Sequence, residues 1–170
     1  MRLEVGIGFG SNMGDRLANL SKARRLLLQS CADSNKAIFS PVFETPPIDC
    51  APGTTPFYNA VGEFTFTTTP ESILALCLQI EQALGRDNIH EANAPRAIDL
   101  DLLYAGDFVS TTPDLIIPHP RLTSRSFVLA PLATIRPNLK LPGENFSIMD
   151  HLNRRTLNKE QFPIVSRNWQ

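Results

Sequence analysis

Hydrophobic and polar positions along the 170-residue chain switch between two periods, and the switches mark out the elements. Leu3 to Gly10 is an apolar run rich in glycine and predicts a strand. Asp15 to Cys31 then takes up helical spacing, with Leu17, Leu20, Ala23, Leu27 and Cys31 along one stripe and Lys22, Arg24 and Arg25 mostly outside it, as a solvated face. After a turn at Asp33 to Asn35, Ala37 to Glu44 predicts a second strand, in which Pro41 has no N–H for a ladder and so marks an edge or a bulge. Phe57 to Thr67 alternates, with Phe57, Asn59 and Val61 on one face and Tyr58, Ala60, Gly62, Phe64 and Phe66 on the other. Thr69 and Pro70 are a cap and a first helical residue, Ile73, Leu76, Cys77, Ile80 and Leu84 form the stripe behind them, and Gly85 ends the helix. Ala94 to Leu103, APRAIDLDLL, alternates again and predicts a strand, with Gly106 and Asp107 as a hairpin turn beyond it. From Pro137 to Gln170 the pattern is irregular.

Strand, helix, strand, strand, helix, strand is the split βαβ order. It predicts an α+β, ferredoxin-like fold: an antiparallel sheet with helices packed on one face, plus C-terminal additions. With 42% hydrophobic residues and no shift of composition along its length, the chain reads as one domain spanning residues 1–170. A net charge of −1 with interspersed signs argues against a nucleic-acid binder. The absence of a long apolar run or a leader argues against a membrane protein and predicts a soluble, cytoplasmic one. Cys31, Cys50 and Cys77 are odd in number and lack a CxxC pair, which predicts reduced thiols, the first and last on apolar helix positions and Cys50 in a loop. His90, His119 and His151 offer no close-spaced metal pair.

Chemistry concentrates in the last strand. Alternation turns Ile98, Leu100 and Leu102 one way and Asp99 and Asp101 the other, with alpha carbons about 7 Å apart. Two carboxylates so placed repel unless a cation or donors lie between them, and a hard divalent ion such as magnesium needs only one or two carboxylates besides water and phosphate oxygens. In an arbitrary sequence Asp-x-Asp is more often the wet face of a sheet. Here Arg96, a partner for carboxylate or phosphate, lies just upstream, behind a stiffening Pro95.

GSNMGDR, Gly10 to Arg16, resembles a phosphate cradle but has Met13 where a dinucleotide fingerprint needs glycine, and lacks the Gly-Lys-Ser/Thr ending of a P-loop. It predicts a tight strand-to-helix turn, with Ser11, Asn12 or Asp15 as helix cap. Thr45 to Pro56, holding Pro46, Pro47, Gly53 and Pro52, is long for a connector and belongs to the class from which functional loops are drawn. Phe57 and Asn59 on one strand face suit a flat heterocycle, by stacking and paired hydrogen bonds, although Phe57 alone reads as core.

Taken together and in order, GSNMGDR, ETPPI, FYNAV, IEQALGR, PRAIDLDLL and IPHPRLTSRSFVLAPL resemble the 6-hydroxymethyl-7,8-dihydropterin pyrophosphokinases of folate biosynthesis, over roughly Val5 to Pro137. The resemblance implies a ferredoxin-like fold and transfer of the terminal pyrophosphoryl group of ATP to the pterin hydroxymethyl oxygen, with release of AMP. By the same resemblance Asp99 and Asp101 hold two magnesium ions, and Phe57 and Phe127 sandwich the pterin. Asn59 and the loop Thr45, Pro46, Pro47, Ile48 bond the pterin edge, and Arg86, Arg96, His119 and Arg125 surround the polyphosphate. Arg86 and Arg96 are then catalytic with the two aspartates. The implied partners are ATP and the pterin, for a monomer that associates with neighbouring folate-pathway enzymes.

The sequence departs from the family after Arg86, where DNIHEANAPR puts Asn88, Ala92, Asn93 and Ala94 in place of further arginines and an aromatic or glycine. Leu78 stands where the family commonly has glutamine, with Gln79 following. Loss of those cations predicts slower chemistry or a looser nucleotide grip, at ~1 to 3 kcal/mol per charged hydrogen bond. Two alternatives follow: a non-catalytic relative that binds pterin or nucleotide through a degenerate catalytic loop, and a ferredoxin-like RNA-binding module. The latter needs an exposed aromatic sheet motif and a basic surface, and neither is evident.

Overall fold

A computed structural model describes residues 2–48, 51–85, 95–156 and 162–169. Along the chain these form β1 (Leu3–Ser11), α1 (Arg16–Ser30), β2 (Ile38–Phe39), β3 (Val42–Thr45), β4 (Phe57–Phe66), α2 (Pro70–Ala83), β5 (Asp99–Ala105), β6 (Ser110–Thr112), β7 (Leu115–Ile117), α3 (Ser126–Ile135), α4 (Ile148–Thr156) and β8 (Ile164–Ser166). The main sheet runs β5-β1-β4-β3-β8, with β2 also on β4, and every pairing in it is antiparallel. The ferredoxin-like expectation therefore holds. The helix signals also hold: the Asp15 carboxylate accepts from Ala18 N–H at 3.0 Å, Thr69 Oγ1 accepts from Ser72 N–H at 3.3 Å, and Gly85 leaves the second helix with φ +96°.

Each face of the sheet packs its own core. On one, α1 and α2 cover Val5, Ile7, Phe9, Phe64, Phe66, Ile98, Leu100 and Leu102 with Leu20, Ala23, Leu27, Ile73, Cys77 and Ile80. Burial there pushes the Cys77 thiol up to about 12, with Glu81 and Asp101 reinforcing it. On the other face α3 and α4 pack Leu129, Leu132 and Ile148 over Val61, Leu103 and Tyr104. The predicted one-sided helical layer describes α1 and α2, and the C-terminal additions form the second.

Several expectations needed correction. Pro41 falls at a break: Phe39 pairs with Gly62 and Phe43 with Asn59, so residues 40–42 face only residues 60–61, a bulge in what was read as one strand. Gly106 and Asp107 form a turn, but the chain beyond does not pair back on β5; β6 and β7 make a separate small hairpin. Arg24 is not on a solvated face. Its guanidinium lies 3.9 Å from the Phe39 ring centroid and donates to the Trp169 carbonyl, and burial lowers its pKa. The irregular tail holds α4, β8 and Trp169, which is 2% exposed. The Trp169 ring stacks edge-on against Phe9 at 5.2 Å and Phe39 at 5.6 Å, and its indole N–H donates to Ser40 O at 2.8 Å. Cys31 and Cys77 are free thiols, while Cys50 and His90 lie outside the described residues. No described helix is long and apolar enough to cross a membrane.

Candidate active site

The second helical layer covers only part of its sheet face, and the uncovered part is a cavity of about 420 Å³. Its floor is β1, where Gly8 and Gly10 lie between Asp101 and Asp99 on one side and Val61 and Asn59 on the other. A methyl group at Gly10 would come within 3.2 Å of Asn59 Oδ1, 3.7 Å of Asp99 Cβ and 3.9 Å of Phe57 Cδ1, so the missing side chain is what brings β4 and β5 chemistry into one space.

Asp99 and Asp101 both line this cavity, while Ile98, Leu100 and Leu102 are buried on the opposite face, as alternation requires. Arg96 Nη1 is 3.4 Å from Asp99 Oδ1, and Arg125 Nη1 is 3.6 Å from Asp101 Oδ2. The backbone of this strand is tied from below by the buried Glu81, whose carboxylate accepts from Leu100 N–H at 2.6 Å. Asn12 fixes the approach: its side-chain oxygen accepts from Arg96 N–H at 2.8 Å, and its own N–H donates to Arg96 O at 3.2 Å. The pair alone makes no closed metal cage, and no described group of three or more His, Cys, Asp or Glu side chains could hold an ion. Two carboxylates on an open cavity fit a hard cation that draws its other ligands from water and phosphate oxygens. Arg96 Nε is buried without a hydrogen-bond partner among the described residues, an unmet donor of the kind an anion satisfies.

Phe57 and Phe127 line the same cavity and are each only half-buried, although Phe127 also packs against the core beneath α3 and α4. Thr45, Pro46 and Ile48 line it too, whereas Pro47 does not. Asn59 donates from Nδ2 to Thr45 Oγ1 at 2.7 Å, which fixes the amide orientation. Arg125 stacks 5.2 Å from the Phe127 centroid, and burial lowers its pKa, followed by Arg121. His119 is held just outside the lining: its N–H donates to Leu103 O at 2.8 Å, and its Nδ1 accepts from Arg121 N–H at 3.1 Å, leaving the neutral ring's proton on Nε2. Burial holds this imidazole below its ordinary value; Asp101 opposes the shift, and Arg125 and Arg121 add to it. Arg86 lies outside the described residues.

Sequence reasoning missed Gly8, Gly10, Arg121, Ser124 and Arg155, all of which line the cavity. Glycine at every second position of a central strand, Gly6, Gly8 and Gly10, was the available signal for the first two. Arg155 comes from α4, in the part of the chain without a legible pattern, and is anchored by its Nε donating to Thr123 O at 3.0 Å.

A protein of Bacillus subtilis named 2-amino-4-hydroxy-6-hydroxymethyldihydropteridine pyrophosphokinase is 40% identical over 129 residues, 76% of this chain and 75% of its own. One of the same name from Methylorubrum extorquens is 39% identical, over 81% of this chain and 85% of its own. A folic acid synthesis protein of Dictyostelium discoideum is 33% identical over 81% of this chain, which spans only 20% of that longer protein. Among solved structures, Plasmodium falciparum HPPK-DHPS with pteroate superposes with a TM-score of 0.73 at 18% identity, over 93% of this chain and 43% of that one, a likeness of fold. Residues 6–137 match the family described as 7,8-dihydro-6-hydroxymethylpterin-pyrophosphokinase, and the chain belongs to it.

Proposed function

We propose that this chain transfers the terminal pyrophosphoryl group of ATP to the hydroxymethyl oxygen of 6-hydroxymethyl-7,8-dihydropterin. The new bond joins the pterin oxygen to the β-phosphorus, the bond between the β-phosphorus and the oxygen bridging it to the α-phosphorus breaks, AMP departs with that bridging oxygen, and the hydroxyl proton is lost. The observation that carries this reading is the meeting, in one cavity, of two half-buried phenyl rings and an oriented amide with two carboxylates backed by arginines.

In this reading Phe57 and Phe127 grip the two faces of the ring, and Asn59 with Thr45, Pro46, Pro47 and Ile48 read its edge. Asp99 and Asp101 would hold two magnesium ions. Magnesium, when bound, neutralises phosphate charge and orients the polyphosphate. Arg96, Arg125 and, outside the described residues, Arg86 surround the phosphates, with His119 donating from Nε2; Arg121 and Arg155 add positive charge at the rim. Catalysis of this kind needs positioning and fixed charge more than a covalent nucleophile. The chain acts as one domain over residues 1–170, as a monomer, in the reducing cytoplasm, where Cys31 and Cys77 stay thiols. Association with neighbouring folate-pathway enzymes fits the joined HPPK-DHPS chains it resembles.

The test is AMP release from ATP and the hydroxymethyl pterin. Wild type should turn over, Asp99→Ala should not, and Asp101→Asn should lose turnover while keeping pterin affinity. A wild-type protein that binds pterin and nucleotide but releases no AMP would establish the non-catalytic relative instead.

A further inference from the structure

Arg16, the last residue of GSNMGDR, does not line the cavity, yet it grips both limbs of the loop that forms one wall of it. Its Nη1 donates to Glu44 Oε2 at 3.1 Å and to the Pro56 carbonyl at 2.7 Å, and its guanidinium carbon lies 3.6 Å from the centroid of the Tyr58 ring. Glu44 immediately precedes Thr45, and Pro56 immediately precedes Phe57. One side chain thus ties together the two points where the chain leaves β3 and re-enters β4.

The register sharpens this. Glu44 pairs with Tyr58, and Thr45 with Phe57. Alternation turns Glu44 and Tyr58 to the face opposite the cavity, directly behind Thr45, Phe57 and Asn59. The Arg16 side chain is only 19% exposed, so solvent screens this contact less than it would a surface pair. The planar fork bonds in its own plane while its face lies on the tyrosine ring, a combination that a lysine ammonium cannot reproduce.

We propose that Arg16 is a positioning residue for the pterin: it sets the spacing of the two loop limbs and, through them, the place of the Phe57 ring and the Thr45–Asn59 hydrogen bond. It touches neither substrate. The inference rests on the pterin reading of the cavity and adds a determinant of affinity on the far side of the sheet.

Calorimetric titration of wild type, Arg16→Met, Arg16→Lys and Phe127→Ala with the pterin, and separately with a magnesium-bound unreactive ATP analogue, tests it. Arg16→Met should weaken the pterin about tenfold and raise its KM while leaving nucleotide affinity and kcat within about twofold. Arg16→Lys should recover part of the loss, and Glu44→Gln should reproduce a smaller one. Amide exchange in residues 45–48 and 51–56 should quicken in Arg16→Met without any ligand. Unchanged pterin affinity in Arg16→Met beside a loss in Phe127→Ala would overturn the inference and leave the pterin reading standing. An equal loss for both ligands would also overturn it, as general damage to the fold. Failure of wild type to bind pterin would remove both.

Discussion

Gly6→Ala should unfold at markedly lower denaturant, because the space its methyl needs is already full. The register of β1 against β5 shifts between Gly6 and Ile7, leaving Leu103 as an extra residue, so that Leu103 and its neighbour Tyr104 both join the core beneath α3 and α4. The Tyr104 ring lies over Gly6: a Cβ there would fall 2.5 Å from Tyr104 Cζ. That ring is 2% exposed and has little freedom to retreat, since its hydroxyl donates to Glu63 Oε2 at 2.6 Å, and both Glu63 oxygens accept from Arg136 Nε at 3.0 Å. Burial raises the Tyr104 pKa, with the Glu63 carboxylate reinforcing it, so the phenol stays a donor across the ordinary pH range. Overpacking costs ~1 to 3 kcal/mol, and a hydrogen bond to a charged group is worth ~1.5 to 3, against ~0.5 to 1 returned by alanine over glycine in a strand. The net is about 2 to 5 kcal/mol of a total on the order of 5 to 15. Urea titration reads this as a lower midpoint at unchanged slope. Gly8→Ala is the control, because its Cβ would meet Asp101 Cβ and Leu103 Cδ2 at an ordinary 3.6 Å. It should stay within about 1 kcal/mol of wild type while its methyl enters the cavity floor and weakens ligand binding. In a Tyr104→Ala background the cost of Gly6→Ala should vanish. A Gly6→Ala protein as stable as wild type, or the same penalty with Tyr104 gone, would refute the steric account.

Phe127→Ala should weaken the pterin on the order of tenfold in calorimetry, while leaving the nucleotide analogue unaffected; equal affinities would remove the stacking role. His119 should titrate by NMR below an ordinary imidazole. The unfolded chain then binds more protons between the folded value and the ordinary one, so stability should fall as pH drops through that window, and His119→Asn should flatten the slope; a titration at or above the ordinary value would contradict the burial argument. Arg155→Met should lower nucleotide affinity about threefold at low salt and less at high salt, since that guanidinium is exposed and screened; a salt-independent change would assign it another role.

The sequence disclosed most where a local rule decides the outcome. Ile98, Leu100 and Leu102 against Asp99 and Asp101 needed only a period of two, and Asp15, Thr69 and Pro70 needed only helix-end chemistry. Phe57 was suggested by sharing a strand face with Asn59, but Phe127 became a cavity residue only through resemblance, because an aromatic beside valine and leucine looks the same whether it faces a ligand or a core. Arg24 was misread because a helical stripe counts side chains by angle, and a guanidinium lying on Phe39 escapes that count. Arg121 and Arg155 escaped it too: one follows a proline in a turn and the other ends a short helix, and the packing of α4 against α3 and residues 122–124 brings Arg155 to the cavity. Pro41 announced an irregularity, but the choice between edge and bulge depended on β8 covering the outer side of β3.

Trp169 has a consequence for the order in which this protein is made. Phe9 is translated about 160 residues before the indole that packs against it. Until then the nascent sheet presents Phe9 and Phe39 without their aromatic lid, a greasy surface of the kind that chaperones recognise. Closing so distant a contact makes the segment around Trp169 a latch on β1, so a translational stall between residues 39 and 169 would leave the sheet incompletely sealed.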